Sequence, residues 1–302
     1  MIAIKAENIG KRFGDVTALE DINLQVAEGE LFGLIGPDGA GKTTLFRILT
    51  TLILPDSGTA EVNGLDAVRD YKQIRRQIGY MPGRFSLYQD LTVEENLRFF
   101  ATIFGVTVDQ NYDLIKDIYQ QIEPFRKRKA GQLSGGMKQK LALSCALVHE
   151  PKVLFLDEPT TGVDAVSRRE FWDMLQKLQE KGIPILVSTP YMDEADRCNR
   201  VALIQQGRIL TVDPPGVITK GFDKALYAIR AHSNTYQLIH DLRKFEGIDQ
   251  VYPFGEFLHA TAKTPVDKQV LNQFLADRGH EQIIIEETGA DIEDCFIGMM
   301  VK

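Results

Sequence analysis

The apolar positions of this chain change period several times, and the changes mark its elements. Ala3–Asn8 and Asp21–Val26 alternate apolar and polar residues as strands do, with KRFGDVTAL between them. Leu31, Phe32, Leu34 and Ile35 form a short continuous apolar run, the pattern of a buried strand. A glycine-rich turn follows and opens a helix that is expected to reach about Leu52. Pro55–Gly58 is a turn, and TAEVNGLDA reads as a strand with an Asn-Gly hairpin at Asn63–Gly64. Arg75–Met81 leads into a strand ending at Pro82.

From Gly83 to about Glu150 the period becomes helical. Thr92 followed by Glu95 is a capping box for a helix over Val93–Phe104. A second helix is expected near Tyr112–Pro124, with Ile115, Ile118 and Ile122 facing inward. The basic run FRKRK at Phe125–Lys129 reads as a solvated helix end, and Ser134 caps a helix through Leu147. Buried-strand signals resume at VLFLD (Val153–Asp157) and ILVST (Ile185–Thr189), separated by a helix over Ser167–Lys181 that Gly182 closes. VALIQQGRIL adds two short strands around Gln206–Gly207. Strands alternating with helices predict an α/β core on a mostly parallel sheet.

After Pro214, Pro215 and Gly216 the organisation changes. Strand, helix, two strands meeting across Gly255–Glu256, helix and strand follow, with a final amphipathic helix over Asp291–Met300. That order predicts a small ferredoxin-like α+β domain. On the final helix Ile292, Cys295, Phe296 and Met299 share a face, read as packing, with dimer contact as the alternative. The expected domains are residues 1–220, with a helical subdomain at about 84–150, and residues 221–302.

Composition adds bounds. The chain has 302 residues, 44% hydrophobic and 25% charged, the make-up of an ordinary soluble globular protein. A formal net charge of −7 disfavours a polyanion partner such as nucleic acid. Cys145, Cys198 and Cys295 lie far apart with no metal or redox spacing, which fits a reducing compartment. The first residues, MIAIKAENIGKRF, lack a signal-peptide core. No run approaches the ~18 apolar residues of a membrane span, so a membrane role would come through a partner.

The chemistry concentrates at Leu31–Thr44, LFGLIGPDGAGKTT. Gly36, Gly41, Lys42 and Thr43 match G-x-x-x-x-G-K-[ST] between a strand and a helix. Glycines let successive backbone N–H groups curl toward a phosphate, and the helix that starts here adds the positive end of its dipole. The cradle comprises Gly36, Pro37, Asp38, Gly39, Ala40, Gly41, Lys42, Thr43 and Thr44. Lys42 can reach the β- and γ-phosphates and the Thr43 hydroxyl can ligand Mg²⁺. The plain alternative is a glycine-rich strand-to-helix turn without a ligand.

Further stretches narrow this reading. LSGGMKQK at Leu133–Lys140 places the Ser134 hydroxyl and the Gly135 and Gly136 amides at a helix N-terminus, suited to an anion. VLFLDEPTTGVD ends an apolar strand in Asp157 and Glu158, with Asp164 six residues on. Together with the phosphate loop, these stretches resemble the ATP-binding cassette of ABC transporters over about Ile2–Gly216. The resemblance implies a P-loop cassette fold with an antiparallel β-subdomain, ATP and Mg²⁺ as ligands, and two cassettes that sandwich two nucleotides. It also implies roles. Ser134, Gly135 and Gly136 hold the partner cassette's γ-phosphate, and Asp164 lies in the loop crossing the dimer interface. Thr43 and Asp157 hold Mg²⁺, Glu158 acts as general base or water-polarising group, and Phe13 of KRFGD stacks on adenine in place of the usual Tyr.

Two positions depart from the family pattern. Where the family usually has a Gln after the strand IGYMP, this chain has Gly83. Where it usually has a His after ILVST, this chain has Pro190. The five histidines lie elsewhere and read as ordinary surface or core residues. Neither replacement offers a side-chain donor at the γ-phosphate, so the expectation is a site that binds Mg-ATP and hydrolyses it slowly, while the LSGG segment completes a partner's site. GPDGAGKTT with Asp38, the missing His before YMDEA and the ending IIIEETGADIEDCFI resemble ATPases of bacterial ABC-2-type exporters, especially the N-terminal half of tandem-cassette drug-efflux ATPases. That branch implies a second ATPase subunit, with a heterodimer favoured over a homodimer, ABC-2-type transmembrane permeases docking on Gly83–Leu97, a membrane-fusion protein as a further component, no nucleic acid, and a place on the cytoplasmic face of the bacterial inner membrane. Two other readings stay open: an ATP-gated, non-hydrolysing regulatory cassette, and a soluble ABC ATPase acting on ribosomes or DNA.

Overall fold

Three sheets carry the fold, and the chain enters them in order. The computed structural model describes Met1–Met300; Val301 and Lys302, the end of the expected second domain, lie outside the described residues. Contacts divide the chain into two units, residues 1–215 and 216–302.

In the first unit β1 (Ile2–Phe13) and β2 (Val16–Ala27) pair antiparallel. The segment expected to connect two shorter strands is itself strand. Register shifts along the pair let both strands run on past Asn8 although the alternation breaks there, and only Gly14–Asp15 remain as the turn. β3 (Leu31–Ile35) leads through the glycine-rich loop into α1 (Lys42–Leu49), then β4 (Ser57–Val62) and β5 (Leu65–Asp66). α1 ends short of Leu52 because Thr51 takes φ +65° and the Leu52 N–H turns back to the Arg47 carbonyl. The Asn63–Gly64 hairpin forms with φ of +50° and +72°, the left-handed pair a two-residue turn requires. β4 packs beside β1, giving the sheet order β2-β1-β4-β5.

α2 (Tyr71–Gln77) precedes β6 (Ile78–Met81). This helix was not expected; it buries only Ile74, so it shows no apolar stripe. α3 (Val93–Ile103) carries the capping box as expected: Glu95 N–H donates to Thr92 Oγ1 at 3.2 Å and Thr92 N–H to the Glu95 carboxylate at 2.8 Å. α4 (Tyr112–Tyr119) is shorter than expected, yet Ile115, Ile118 and Ile122 are all buried. Arg126, Lys127, Arg128 and Lys129 are exposed. α5 (Gly135–Leu147), β7 (Val153–Asp157), α6 (Ala165–Glu180), β8 (Ile185–Thr189), β9 (Arg200–Gln205) and β10 (Arg208–Asp213) follow. α6 starts two residues before the expected Ser167 because Asp164, not a later residue, caps it.

The second sheet has the order β10-β9-β3-β8-β7-β6, parallel from β9 to β6, with β10 antiparallel at the edge. β3, β7 and β8 are buried throughout, which accounts for their unbroken apolar runs. Phe46 of α1 meets Phe155 of β7 edge to face at 6.1 Å. This pins the helix behind the phosphate loop to the central strand.

In the second unit α7 (Pro215–Lys220) precedes β11 (Ala225–His232), α8 (Thr235–Leu242), β12 (Ile248–Phe254), β13 (Phe257–Ala262), α9 (Lys268–Ala276), β14 (Glu281–Glu287) and α10 (Ile292–Met300). All pairs are antiparallel and the sheet order is β12-β13-β11-β14, the split βαβ arrangement of a ferredoxin-like domain. Tyr227, Ile229, Leu238, Leu242, Leu271 and Leu275 are among its core. On α10, Ile292, Cys295 and Phe296 are buried. His259 and His280 are core residues with carboxylate partners, Asp294 at 2.6 Å and Asp241 at 3.1 Å. Among the described residues no helix is long and apolar enough to cross a membrane.

Candidate nucleotide site

The loop between β3 and α1 can exist only with glycine at its ends. A Cβ at Gly36 would sit 2.1 Å from the Ile204 carbonyl oxygen; Gly41 has φ +108°, and its Cβ would lie 2.7 Å from the Ala18 oxygen. Between them, Ala40 is buried, Pro37 half-buried, and Asp38 and Gly39 exposed. The backbone closes on itself, Ala40 N–H donating to the Pro37 carbonyl at 3.2 Å and Gly207 N–H to the Ala40 carbonyl at 2.9 Å. Lys42 runs back under the loop. Its ammonium donates to the Gly36 and Pro37 carbonyls at 2.7 and 3.0 Å and stands 3.1 Å from the Glu158 carboxylate. Thr44 is half-buried beside it.

β7 brings the carboxylates to this loop. Thr43 Oγ1 donates to Asp157 Oδ1 at 3.2 Å, and Ser188 Oγ donates to the same oxygen at 2.7 Å. Ser188 also accepts the Glu158 N–H at 3.0 Å on its hydroxyl, and its carbonyl accepts it at 3.1 Å. Burial lifts the Asp157 carboxyl above its ordinary range, against the Ser188 and Thr43 hydrogen bonds that pull it down. Glu158 sits at φ +50°, a strained conformation for a residue with a Cβ, held by these bonds.

A hydroxyl and a carboxylate are the hard oxygen donors a small divalent cation takes, so Thr43 and Asp157 fit Mg²⁺. Among the described residues no group of three or more His, Cys, Asp and Glu could form an all-protein metal cage.

Ser134, Gly135, Gly136 and Asp164 form a separate cluster. Ser134 caps α5, accepting the Met137 N–H at 3.4 Å, and Asp164 caps α6, accepting the Ser167 N–H at 3.0 Å. That bond holds the Asp164 carboxyl below its usual range. Cβ atoms at Gly136 and Gly135 would lie 2.7 Å from Ser167 Oγ and 3.4 Å from the Gly162 oxygen, so the two helix starts abut. Among the described residues no hydrogen bond or ion pair joins this cluster to Lys42, Thr43, Asp157 or Glu158. Phe13 is half-exposed at the end of β1, with the Lys11 ammonium 5.5 Å from its ring centroid.

The departing positions flank the carboxylates. A Cβ at Gly83 would lie 3.1 Å from the Asp157 oxygen and 3.8 Å from Glu158 Cβ. Pro190 is half-buried directly after Thr189. Gly83 also lines a cavity of about 280 Å³ between β6, α3 and α5, with Tyr80, Phe85, Phe104 and His149 among its walls.

Sequence reasoning missed Ser188, Thr189, Thr160 and the buried Glu194. The Glu194 carboxylate accepts from both Thr160 Oγ1 and Thr189 Oγ1. A signal existed in ILVST, whose apolar strand ends in two hydroxyl residues beside the strand that ends in Asp157.

Comparison with known proteins follows the same line. A family model described as ABC transporter matches residues 19–161. The chain is 42% identical over 302 residues to the probable multidrug ABC transporter ATP-binding protein YbhF of Escherichia coli (strain K12), covering 98% of this chain and 52% of that protein. It therefore spans about half the length of that relative. It is 32% identical over 299 residues to the Nod factor export ATP-binding protein I of Rhizobium sp. (strain N33), covering 98% of this chain and 96% of that one. The daunorubicin resistance ATP-binding protein DrrA3 of Streptomyces coeruleorubidus is 37% identical over 211 residues, 69% of this chain and 67% of its own. Among solved structures, an ATP-binding subunit of an ABC transporter superposes with a TM-score of 0.66 at 28% identity, covering 72% of this chain and 92% of that one. A dimeric ATP-binding cassette in a post-hydrolysis state, bound to ADP and Pi, gives 0.63 at 26% identity over 70% of this chain and 98% of that one.

Proposed function

The chain belongs to the ABC transporter family of ATP-binding proteins, and from that premise we propose that it is the ATP-binding subunit of a bacterial ABC-2-type exporter of drugs or other small molecules. The relatives named for multidrug transport, Nod factor export and daunorubicin resistance support the export reading. The observation that carries the nucleotide reading is the convergence of Lys42, Thr43, Asp157 and Glu158 on the mouth of one glycine loop.

In this reading Lys42 and the loop amides hold the phosphates, Thr43 and Asp157 hold Mg²⁺, and Glu158 orients and polarises the attacking water. The metal supplies neutralisation of charge on the phosphate oxygens. Closure of two cassettes sets the Ser134 segment of one against the nucleotide of the other, and hydrolysis reopens the pair. The cavity beside Gly83 and the segment Gly83–Leu97 receive the membrane subunit, and in this reading the chain lies on the cytoplasmic face of the inner membrane. Gly83 and Pro190 supply no donor to the γ-phosphate. The chain's own site is therefore slow, and a second, different cassette with intact Gln and His positions provides the fast one. The same two residues favour the ATP-gated, non-hydrolysing cassette as a second reading.

Titration of the purified chain with a fluorescent ATP analogue and Mg²⁺ is expected to give a Kd within about 1 μM–1 mM. Turnover alone should be slow and should rise on adding the partner cassette. Absence of Mg²⁺-dependent binding overturns the nucleotide reading, and transporter-like turnover by the chain alone overturns the asymmetric pair. Zero turnover at this site in the assembled pair selects the non-hydrolysing cassette.

Ser188→Ala tests the Asp157 arrangement. Mg²⁺ needs the ionised carboxylate, and the substitution removes a hydrogen bond that lowers its pKa, leaving burial to raise it further. The acid limb of Mg-ATP binding should therefore move to higher pH. A hydrogen bond of about 0.5–1.5 kcal/mol predicts a loss of about 2- to 12-fold in affinity. An unchanged pH profile would contradict it.

A further inference from the structure

We propose that Glu194 is a positioning residue that ties the catalytic carboxylate strand, the end of β8 and the start of α6 into one unit; the inference rests on the hydrolytic reading above. Glu194 is 3% exposed. Its carboxylate accepts from Thr160 Oγ1 at 3.0 and 3.2 Å and from Thr189 Oγ1, while Arg168 Nε lies 3.7 Å away. Thr189 Oγ1 in turn accepts the Tyr191 N–H at 3.0 Å. A carboxylate taken out of water needs such donors, and here they come from three separate segments of chain.

Each segment carries a functional position. Thr160 lies two residues after Glu158, and Thr189 and Tyr191 bracket Pro190. Arg168 lies in the first turn of α6, its N–H bonded to the carbonyl of the capping Asp164 at 2.9 Å. Its guanidinium also pairs with Asp193 at 3.2 Å and lies 4.6 Å from the Tyr191 ring centroid. The two ends of the β7–α6 connection, at Glu158 and at Asp164, are thus also joined through Arg168 and Glu194. Pro190 gives the β8 end neither an N–H nor a side-chain donor, so the segment is held by Glu194 through its neighbours. The strained φ of Glu158 needs this kind of external support. If Glu194 were only a staple of the fold, its loss would lower stability without separating turnover from binding.

The test uses the full chain with its partner cassette. Glu194→Gln keeps the volume and removes one acceptor. Thr160→Val removes the hydroxyl that donates to it, and Thr160→Ser restores that hydroxyl. We expect Glu194→Gln and Thr160→Val each to lower kcat at this site about tenfold, with the ATP Kd within about twofold. The double variant should be no slower than either single one, and Thr160→Ser should turn over at the wild-type rate. Amide hydrogen exchange over residues 158–163, read in the same samples, should accelerate about tenfold in both impaired variants. This reading needs no hydrolysis, so it decides the inference even where the wild-type site proves inactive and the hydrolytic reading fails. Unchanged exchange, additive losses, or kcat and ATP affinity falling together with the melting temperature would overturn it.

Discussion

Glu158→Gln is expected to lower Mg-ATP turnover at this site by about 10²–10⁴-fold, the usual share of a positioned general base, while ATP affinity stays within about threefold. The substitution keeps the side chain's size, and the hydrogen bonds that fix the backbone at φ +50° come from the Glu158 main-chain N–H, which glutamine retains. It removes one negative charge 3.1 Å from the Lys42 ammonium and close to where phosphate charge gathers. Affinity should therefore hold or rise. If hydrolysis is what reopens the cassette pair, the ATP-bound dimer of this variant should also persist longer in gel filtration. Wild-type turnover in Glu158→Gln would remove Glu158 from the chemistry, and loss of binding together with turnover would make its role structural.

The parts of this site legible in the sequence are those written within one contiguous stretch. The phosphate loop is such a stretch: its glycine positions are dictated by backbone approaches of 2.1 and 2.7 Å that any Cβ would obstruct. The Thr92–Glu95 cap and the Asn63–Gly64 hairpin are local in the same sense, and each forms as its residues dictate. From β11 onward the second unit was legible because its elements alternate or repeat clearly enough to yield their order; α7, opening on Pro215 and Gly216, was not.

What stayed hidden depends on register between distant strands. Ser188 meets Asp157 only because β7 and β8 pair in parallel with those two residues opposite each other. Nothing local to Ser188 announces that its hydroxyl will bond both the Asp157 carboxylate and the Glu158 amide. Glu194 reads as a surface charge in a polar run, YMDEAD, until the 3₁₀ turn at Met192–Arg197 folds it inward onto two threonine hydroxyls. The long β1–β2 hairpin escaped because bulges interrupt the strict alternation, and α2 because one buried residue makes no stripe.

Pro190→His is expected to raise turnover by the chain alone about 10²-fold, whereas Gly83→Gln alone should change it less than about threefold. A preorganised donor at a developing charge is worth about 10²–10³ in kcat. Preorganisation is available at position 190, because Thr189 and Tyr191 on either side are bonded into the Glu194 cluster and hold the intervening residue in place. It is not available at position 83. There a new Cβ lies 3.1 Å from the Asp157 carbonyl oxygen, so the Asp157–Glu158 backbone must give by a few tenths of an ångström. That shift disturbs the carboxylates that the added amide is meant to assist. Both variants can be compared in the purified chain alone, where every site is of this type, by steady-state phosphate release alongside ATP affinity. Turnover of Pro190→His within twofold of wild type would mean that a histidine at this position does not assist hydrolysis. A larger gain from Gly83→Gln than from Pro190→His would mean that the Asp157–Glu158 segment yields more easily than its hydrogen bonds to Ser188 imply.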